Sequence, residues 1–185
     1  TMNAVFEHAK RLFIEGLQRL EANNLVGAEE SFSHSFELLP ERVSTLNNLA
    51  GVKIRLNKLA EAEGFCRRAI EIEGRSAEAW SNLAFVLTQT GRPEEALLAC
   101  ARAQESNSTF ARAWHTKAHA LLALKRPDEA LAACEEALRL EPGQDEFLHT
   151  QSLVLKDLGR MESARKSYLD SLARRVLKSP VFSCN

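Results

Sequence analysis

Apolar residues recur along this chain at steps of three and four. Trp80, Leu83 and Leu87 form one such row, and Ala96, Leu97 and Cys100 form the next, with Gly91, Arg92 and Pro93 between them. That spacing predicts amphipathic helices rather than strands. The break predicts a tight turn: Gly91 suits a left-handed helix end, and Pro93 suits the first turn of the following helix. The passage returns 34 positions later, from Trp114 to Cys134 around Lys125, Arg126 and Pro127. With each tryptophan counted as the fourth position, the chain divides into five units without insertion or deletion: 9–42, 43–76, 77–110, 111–144 and 145–178.

Fixed slots within the units carry the packing information. The eighth is always small (Gly16, Ala50, Ala84, Ala118, Ser152), and the twentieth is alanine five times (Ala28, Ala62, Ala96, Ala130, Ala164). The twenty-seventh is again small (Ser35, Ala69, Ala103, Ala137, Ser171). The twenty-fourth reads Phe32, Cys66, Cys100, Cys134 and Tyr168. Small residues at fixed slots predict paired helices in close approach, with larger side chains filling the gaps. Asn23-Asn24, Asn57-Lys58 and Gly159-Arg160 mark the breaks in the other units, while Pro40 and Pro142 punctuate joints between units.

The skeleton Trp80, Leu83, Ala84, Leu87, Gly91, Ala96, Cys100 and Ala103 resembles the tetratricopeptide repeat, with Pro40 and Pro142 in the terminal proline slot. The resemblance extends over residues 9–178, and five units in strict register carry it. It implies an all-α chain, a right-handed α-solenoid of five helix-turn-helix units. Residues 1–8 then extend the first helix, and 179–185 form a tail. Arg19 and Lys53 in the eleventh slot and Lys117 in the seventh depart from the pattern. They are expected to mark a locally loosened interface or a one-residue shift of the helix face.

Composition narrows the function. The 24 basic and 25 acidic residues nearly balance, which argues against a polyanion binder, so no nucleic acid is expected. No apolar run approaches the roughly 18 residues of a membrane span, so no membrane insertion is expected and the cytoplasm is the expected compartment. The ruler of cysteines reads as packing, because a free cysteine behaves as a small buried hydrophobe. Equivalent positions in stacked units lie at least about 8–10 Å apart, beyond the roughly 7 Å reach of a disulfide. The same spread keeps them from converging on one metal, and no cofactor is expected. Cys184 falls outside the period. The chain lacks a Gly-rich phosphate loop, an H-E-x-x-H motif and a nucleophile elbow, and Glu94-Glu95 and Glu135-Glu136 read as solvated pairs. It is therefore not expected to be an enzyme.

The resemblance further implies a concave surface lined by the first helix of each unit, at slots two, five, six, nine, twelve and thirteen. The sixth slot holds Asn48 and Asn82, continued by Thr116 and Thr150. Stacked amides there can grip a peptide backbone, similar to the ladder in the arms of O-linked N-acetylglucosamine transferases; the alternative is asparagines bonded to water. His115 and His119 sit four apart with His149 in the equivalent slot of the next unit, which suits a polar, pH-sensitive wall better than a metal site. Arg112 adds a cation. Phe13 and Phe85, with Ile14 and Leu17, are candidate apolar anchors, unless residues 2–8 (Val5 and Phe6 among them) or another copy cover the first helix. A chaperone-tail carboxylate clamp fails to match: Asn82 and Arg112 fit, but Asn47, Gly51 and Thr116 replace the required Lys, Asn and Arg.

The expected function is a scaffold or adaptor that binds a protein or peptide in this groove. The alternative is the arm of a larger enzyme, such as a glycosyltransferase, that presents substrates or mediates oligomerisation. Val181 and Phe182 motivate it: they are expected to fold back, to lead into a further domain, or to meet another subunit, and homo-oligomers through the solenoid ends follow from the last.

Overall fold

The computed structural model describes residues 2–178; the expectations placed on Val181, Phe182 and Cys184 lie outside the described residues. Among these residues the chain is all-helical: α1 (Met2–Glu21), α2 (Leu25–Leu38), α3 (Val43–Arg55), α4 (Leu59–Ile72), α5 (Ala77–Gln89), α6 (Pro93–Ser106), α7 (Ala111–Ala123), α8 (Pro127–Leu140), α9 (Asp145–Asp157) and α10 (Met161–Leu177). Helices pair as α1·α2 through α9·α10, and each second helix packs on the first helix of the next unit. The first helices α3, α5, α7 and α9 also touch in sequence. The result is an α-solenoid whose first helices form one wall.

One turn, repeated, sets that geometry. Asn23, Asn57, Gly91, Lys125 and Gly159 all have positive φ, between 57° and 78°, and all occupy the fifteenth slot. Each is followed by a backbone N–H that reaches back five residues, as from Arg92 to the Leu87 carbonyl at 2.8 Å and from Arg126 to Leu121 at 2.9 Å. This is the Schellman helix ending, which satisfies carbonyls the helix leaves open. Pro93 and Pro127 then start α6 and α8, where a missing N–H costs nothing. The tryptophans brace the joints between units. Trp80 Nε1 donates to the Gly74 carbonyl at 2.8 Å, and Trp114 Nε1 donates to Ser108 at 3.0 Å.

The cysteines are core residues. Cys66, Cys100 and Cys134 are free and fully buried, and burial pushes each thiol up to about 12. They are paired in size with the eighth slot. Three units set alanine against cysteine, whereas the first sets Gly16 against Phe32. A Cβ on Gly16 would lie 2.6 Å from Phe32 Cε1, so the larger ring requires the smaller neighbour.

The eleventh- and seventh-slot departures are each met by a neighbouring group. Lys53 is buried between Glu29 of α2 and Glu61 of α4, with its Nζ 2.6 Å from Glu29 Oε1. Arg19 donates to the Gly27 carbonyl at 3.0 Å and pairs with Glu15. Lys117 places its ammonium 5.2 Å from the centre of the Trp114 ring, a cation–π contact. Each charge has a partner built for it.

Candidate peptide-binding groove

The wall of first helices carries a groove of about 580 Å³. Leu20 closes one end. Asn47, Asn48, Gly51 and Arg55 come from α3, and Glu78, Ser81, Asn82 and Phe85 from α5. Arg112, His115 and Thr116 come from α7, and Glu146 from α9. A helix repeats its facing every three to four residues, so slots two, five, six and nine of successive units fall on this side together.

The floor is built of hydrogen-bonded rungs that join one unit to the next, always from the fifth slot to the sixth slot 35 residues on. Asn82 Nδ2 donates to the Asn47 carbonyl at 3.5 Å, Ser81 and Thr116 hydroxyls lie 3.4 Å apart, and His115 Nε2 is 2.8 Å from Thr150 Oγ1. The sixth-slot side chains therefore face their neighbours in the fold as well as the groove; Asn82, Thr116 and Thr150 are all buried. Asn48 differs, since its Nδ2 donates to the Ser44 carbonyl of its own helix at 2.8 Å and it stays half-buried. Asn47 reaches Ser76 Oγ and Glu78 Oε2 through its amide nitrogen, while its Oδ1 is buried without a partner. The step of 35 between polar residues is the sequence signal that these rungs leave.

The histidines divide. His115 is 8% exposed and packs on Phe147 with ring centres 4.5 Å apart. Its Nε2 lies 3.2 Å from His119 Nε2, and Thr150 Oγ1 lies 3.1 Å from that same nitrogen. Thr150 gives its proton to the Glu146 carbonyl at 3.1 Å, so its oxygen receives the imidazole N–H. Burial, aided by the charges of His119 and Arg112, pushes His115 down to about 3. Burial, with His149 adding, also lowers His119. Both rings are neutral at neutral pH. His149 lies off the groove, with its ring 6.1 Å from Tyr168 and its Nδ1 buried without a partner. Among the described residues no group of three or more His, Cys, Asp or Glu is placed to hold a metal ion.

The two candidate anchors also separate. Phe85 lines the groove, edge-on to His119 at 6.1 Å. Phe13 does not: its ring packs on Phe32 at 5.5 Å in the α1–α2 core, with the Arg42 guanidinium 4.8 Å above it. The apolar end expected from Phe13, Ile14 and Leu17 is represented in the groove by Leu20. Residues 2–8 are the first turns of α1 itself, with Val5 and Phe6 exposed. Arg112 is exposed at the rim with no ion pair among the described residues. Along that rim the second slot runs Glu78, Arg112, Glu146, alternating in sign. Among the described residues no helix is long and apolar enough to cross a membrane.

Two family models match the chain: anaphase-promoting complex, cyclosome, subunit 3, over residues 55–137, and tetratricopeptide repeat, over residues 115–180. Solved structures match more of it. TTC0263, a thermophilic TPR protein of Thermus thermophilus, shares 19% identity over 90% of this chain and 91% of its own, with a TM-score of 0.82. PilF of Pseudomonas aeruginosa shares 22% over 92% of this chain and 78% of its own, at 0.72. The MamA protein shares 19% over 97% of both chains, at 0.63. At these identities the likeness is one of fold. No curated protein matches in sequence.

Proposed function

The chain belongs to the tetratricopeptide repeat family, and on that basis we propose that it is a non-catalytic interaction module holding an extended segment of a partner protein along its first-helix groove. The observation that carries this reading is the groove itself, open across successive units and lined at one register. Asn48 and Asn82 are the backbone-contacting groups we assign. Arg112, between Glu78 and Glu146, reads charge on the segment, and Phe85 takes an apolar side chain against His119. His115 acts through Thr150 by holding the wall between α7 and α9, so it positions the surface rather than touching the ligand. His149 and Phe13 hold supporting positions outside the groove. The five 34-residue units are the natural divisions of the module. Three buried free thiols support a reducing compartment such as the cytoplasm.

The test uses side chains that the fold itself does not need. Affinity capture from native lysate compares the parent with an Asn48→Ala/Phe85→Ala/Arg112→Ala variant whose helicity, by circular dichroism, is unchanged. The proposal expects a protein retained by the parent and lost by the variant. Equal retention by both would move the interface to the ends or the outer face.

A further inference from the structure

The two ends of the helical stack expose different chemistry, and we propose that the α10 end is a docking face for an acidic amphipathic helix of another protein, seated as the first helix of a further unit would be. This surface lies apart from the groove. The chain's own joints are the template. In the twenty-fourth slot Phe32, Cys66, Cys100 and Cys134 are fully buried, whereas Tyr168 is 45% exposed. In the seventeenth, Leu25, Leu59, Pro93 and Pro127 are half-buried, whereas Met161 is 61% exposed. Leu169 and Val176 stand beside them, 51% and 52% exposed.

On a helix these positions make one stripe: Met161, Arg165, Tyr168, Leu172 and Val176 fall three to four residues apart. In the joint before, the same slots fit a helix. Cys134 of α8 shares a core with Val154 and Leu155 of α9, and Leu138 of α8 shares one with Phe147. What fits the open stripe is therefore a helix presenting an apolar row.

Charge selects among such helices. From Met161 to Lys178 the chain carries Arg165, Lys166, Arg174, Arg175 and Lys178 against Glu162 and Asp170. Arg175 and Lys178 are engaged with Asp145; Arg165, within the stripe, has no ion pair among the described residues. Two copies joined through α10 would set these cations against each other. A head-to-tail copy meets a different obstacle. The third and tenth slots that later units bury as Ala79, Ala113, Val86 and Val154 are Arg11 and Gln18 in the first unit, neither of them buried. Those two positions are polar there, and Arg11 would face the α10 cations. An acidic helix from a different chain meets neither cost.

The probe is a fluorescein-labelled peptide of residues 145–157, acidic in its first turn and already accepted by α8. Fluorescence anisotropy with the full chain is expected to show saturable binding, weakened about tenfold by Tyr168→Asp and by Arg165→Glu. A peptide carrying Leu155→Lys, in the eleventh slot that meets the twenty-first at the chain's own joints, is expected to bind the parent more weakly and to recover affinity toward the Arg165→Glu protein. Because both substituted side chains are exposed, melting temperatures are expected to stay unchanged. Binding that ignores Arg165→Glu, or that Phe85→Ala removes instead, overturns the proposal. So does failure of the peptide to bind. Sedimentation as a dimer that Tyr168→Asp dissociates would overturn it too, by making a second copy the occupant.

Discussion

The first joint of the stack and the last put opposite chemistry at one pair of slots. Between units one and two, Glu29 in the twenty-first slot meets Lys53 in the eleventh slot of the next unit. Between units four and five the same slots are Leu131 and Leu155, in one apolar core. Leu97 and Leu121 share that core from the third joint. The second joint is intermediate: Glu63 in the twenty-first slot pairs with Arg67 and Arg92, while the eleventh slot is the buried Leu87. A periodic backbone therefore tolerates aperiodic chemistry, provided each departure meets its complement across the joint. Burial alone would raise the Glu29 carboxyl and lower the Lys53 ammonium. Their mutual hydrogen bond and charge, with Lys58 and Glu61 adding, outweigh it and shift both the other way. The pair is held ionised.

Breaking that pair on one side has a large consequence. Lys53→Ala leaves the partly buried Glu29 with only Lys58, and about 2 kcal/mol of stability is expected to be lost in denaturant unfolding. Writing the third joint's chemistry into the first, as Glu29→Leu/Lys53→Leu, is expected to cost nothing or to stabilise by about 1 kcal/mol. A double variant as damaged as the single one would show that the ions matter for something other than each other.

The same complementarity operates within units, with a comparable effect. Gly16→Ala drives a Cβ into the Phe32 ring and is expected to cost about 2 kcal/mol. Adding Phe32→Cys, which gives the alanine–cysteine pairing of units two to four, is expected to restore part of it, and thermal melts of the pair read the difference. No recovery would mean that size matching across these slots is incidental.

Acid separates the joints more gently still. His115 and His119 have folded values below the unfolded 6.5, so below that pH the unfolded chain binds more protons. Stability is then lost as pH falls from 6.5 toward the folded values, by up to about 1.4 kcal/mol per pH unit for His115, with His119 acting in the same direction. Glu29 is depressed from 4.5, so its contribution is complete above that value and is lost only as pH falls through its lower folded value. Between pH 6 and 5, hydrogen exchange is therefore expected to rise in α7 and α9 before α2 and α3. Simultaneous loss at both joints would contradict the burial of the imidazoles.

Much of this is legible in the sequence, and the exceptions have a common cause. The period locates every turn, including Lys125, whose side chain gives no hint of positive φ but whose slot does. Lys53 looks like a defect because its complement, Glu29, sits in the preceding unit, where a slot-by-slot reading does not search. The sixth-slot row reads as facing a ligand; stacking turns Asn82, Thr116 and Thr150 toward the fifth slot of the neighbouring unit as well. Phe13 falls on the groove side by slot number, yet Phe32 draws its ring into the core. Slots give a side chain's starting direction, and neighbours decide where it ends.

Everything proposed for the groove requires the partner to lie along the first helices. A photo-crosslinking amino acid placed at Phe85, in the groove, and separately at Leu98, exposed on α6, locates the partner in native lysate. One discrete adduct is expected from position 85, diminished by Arg112→Ala, with none of that species from position 98. An adduct from position 98 alone would contradict the groove assignment and place the partner on the outer helices.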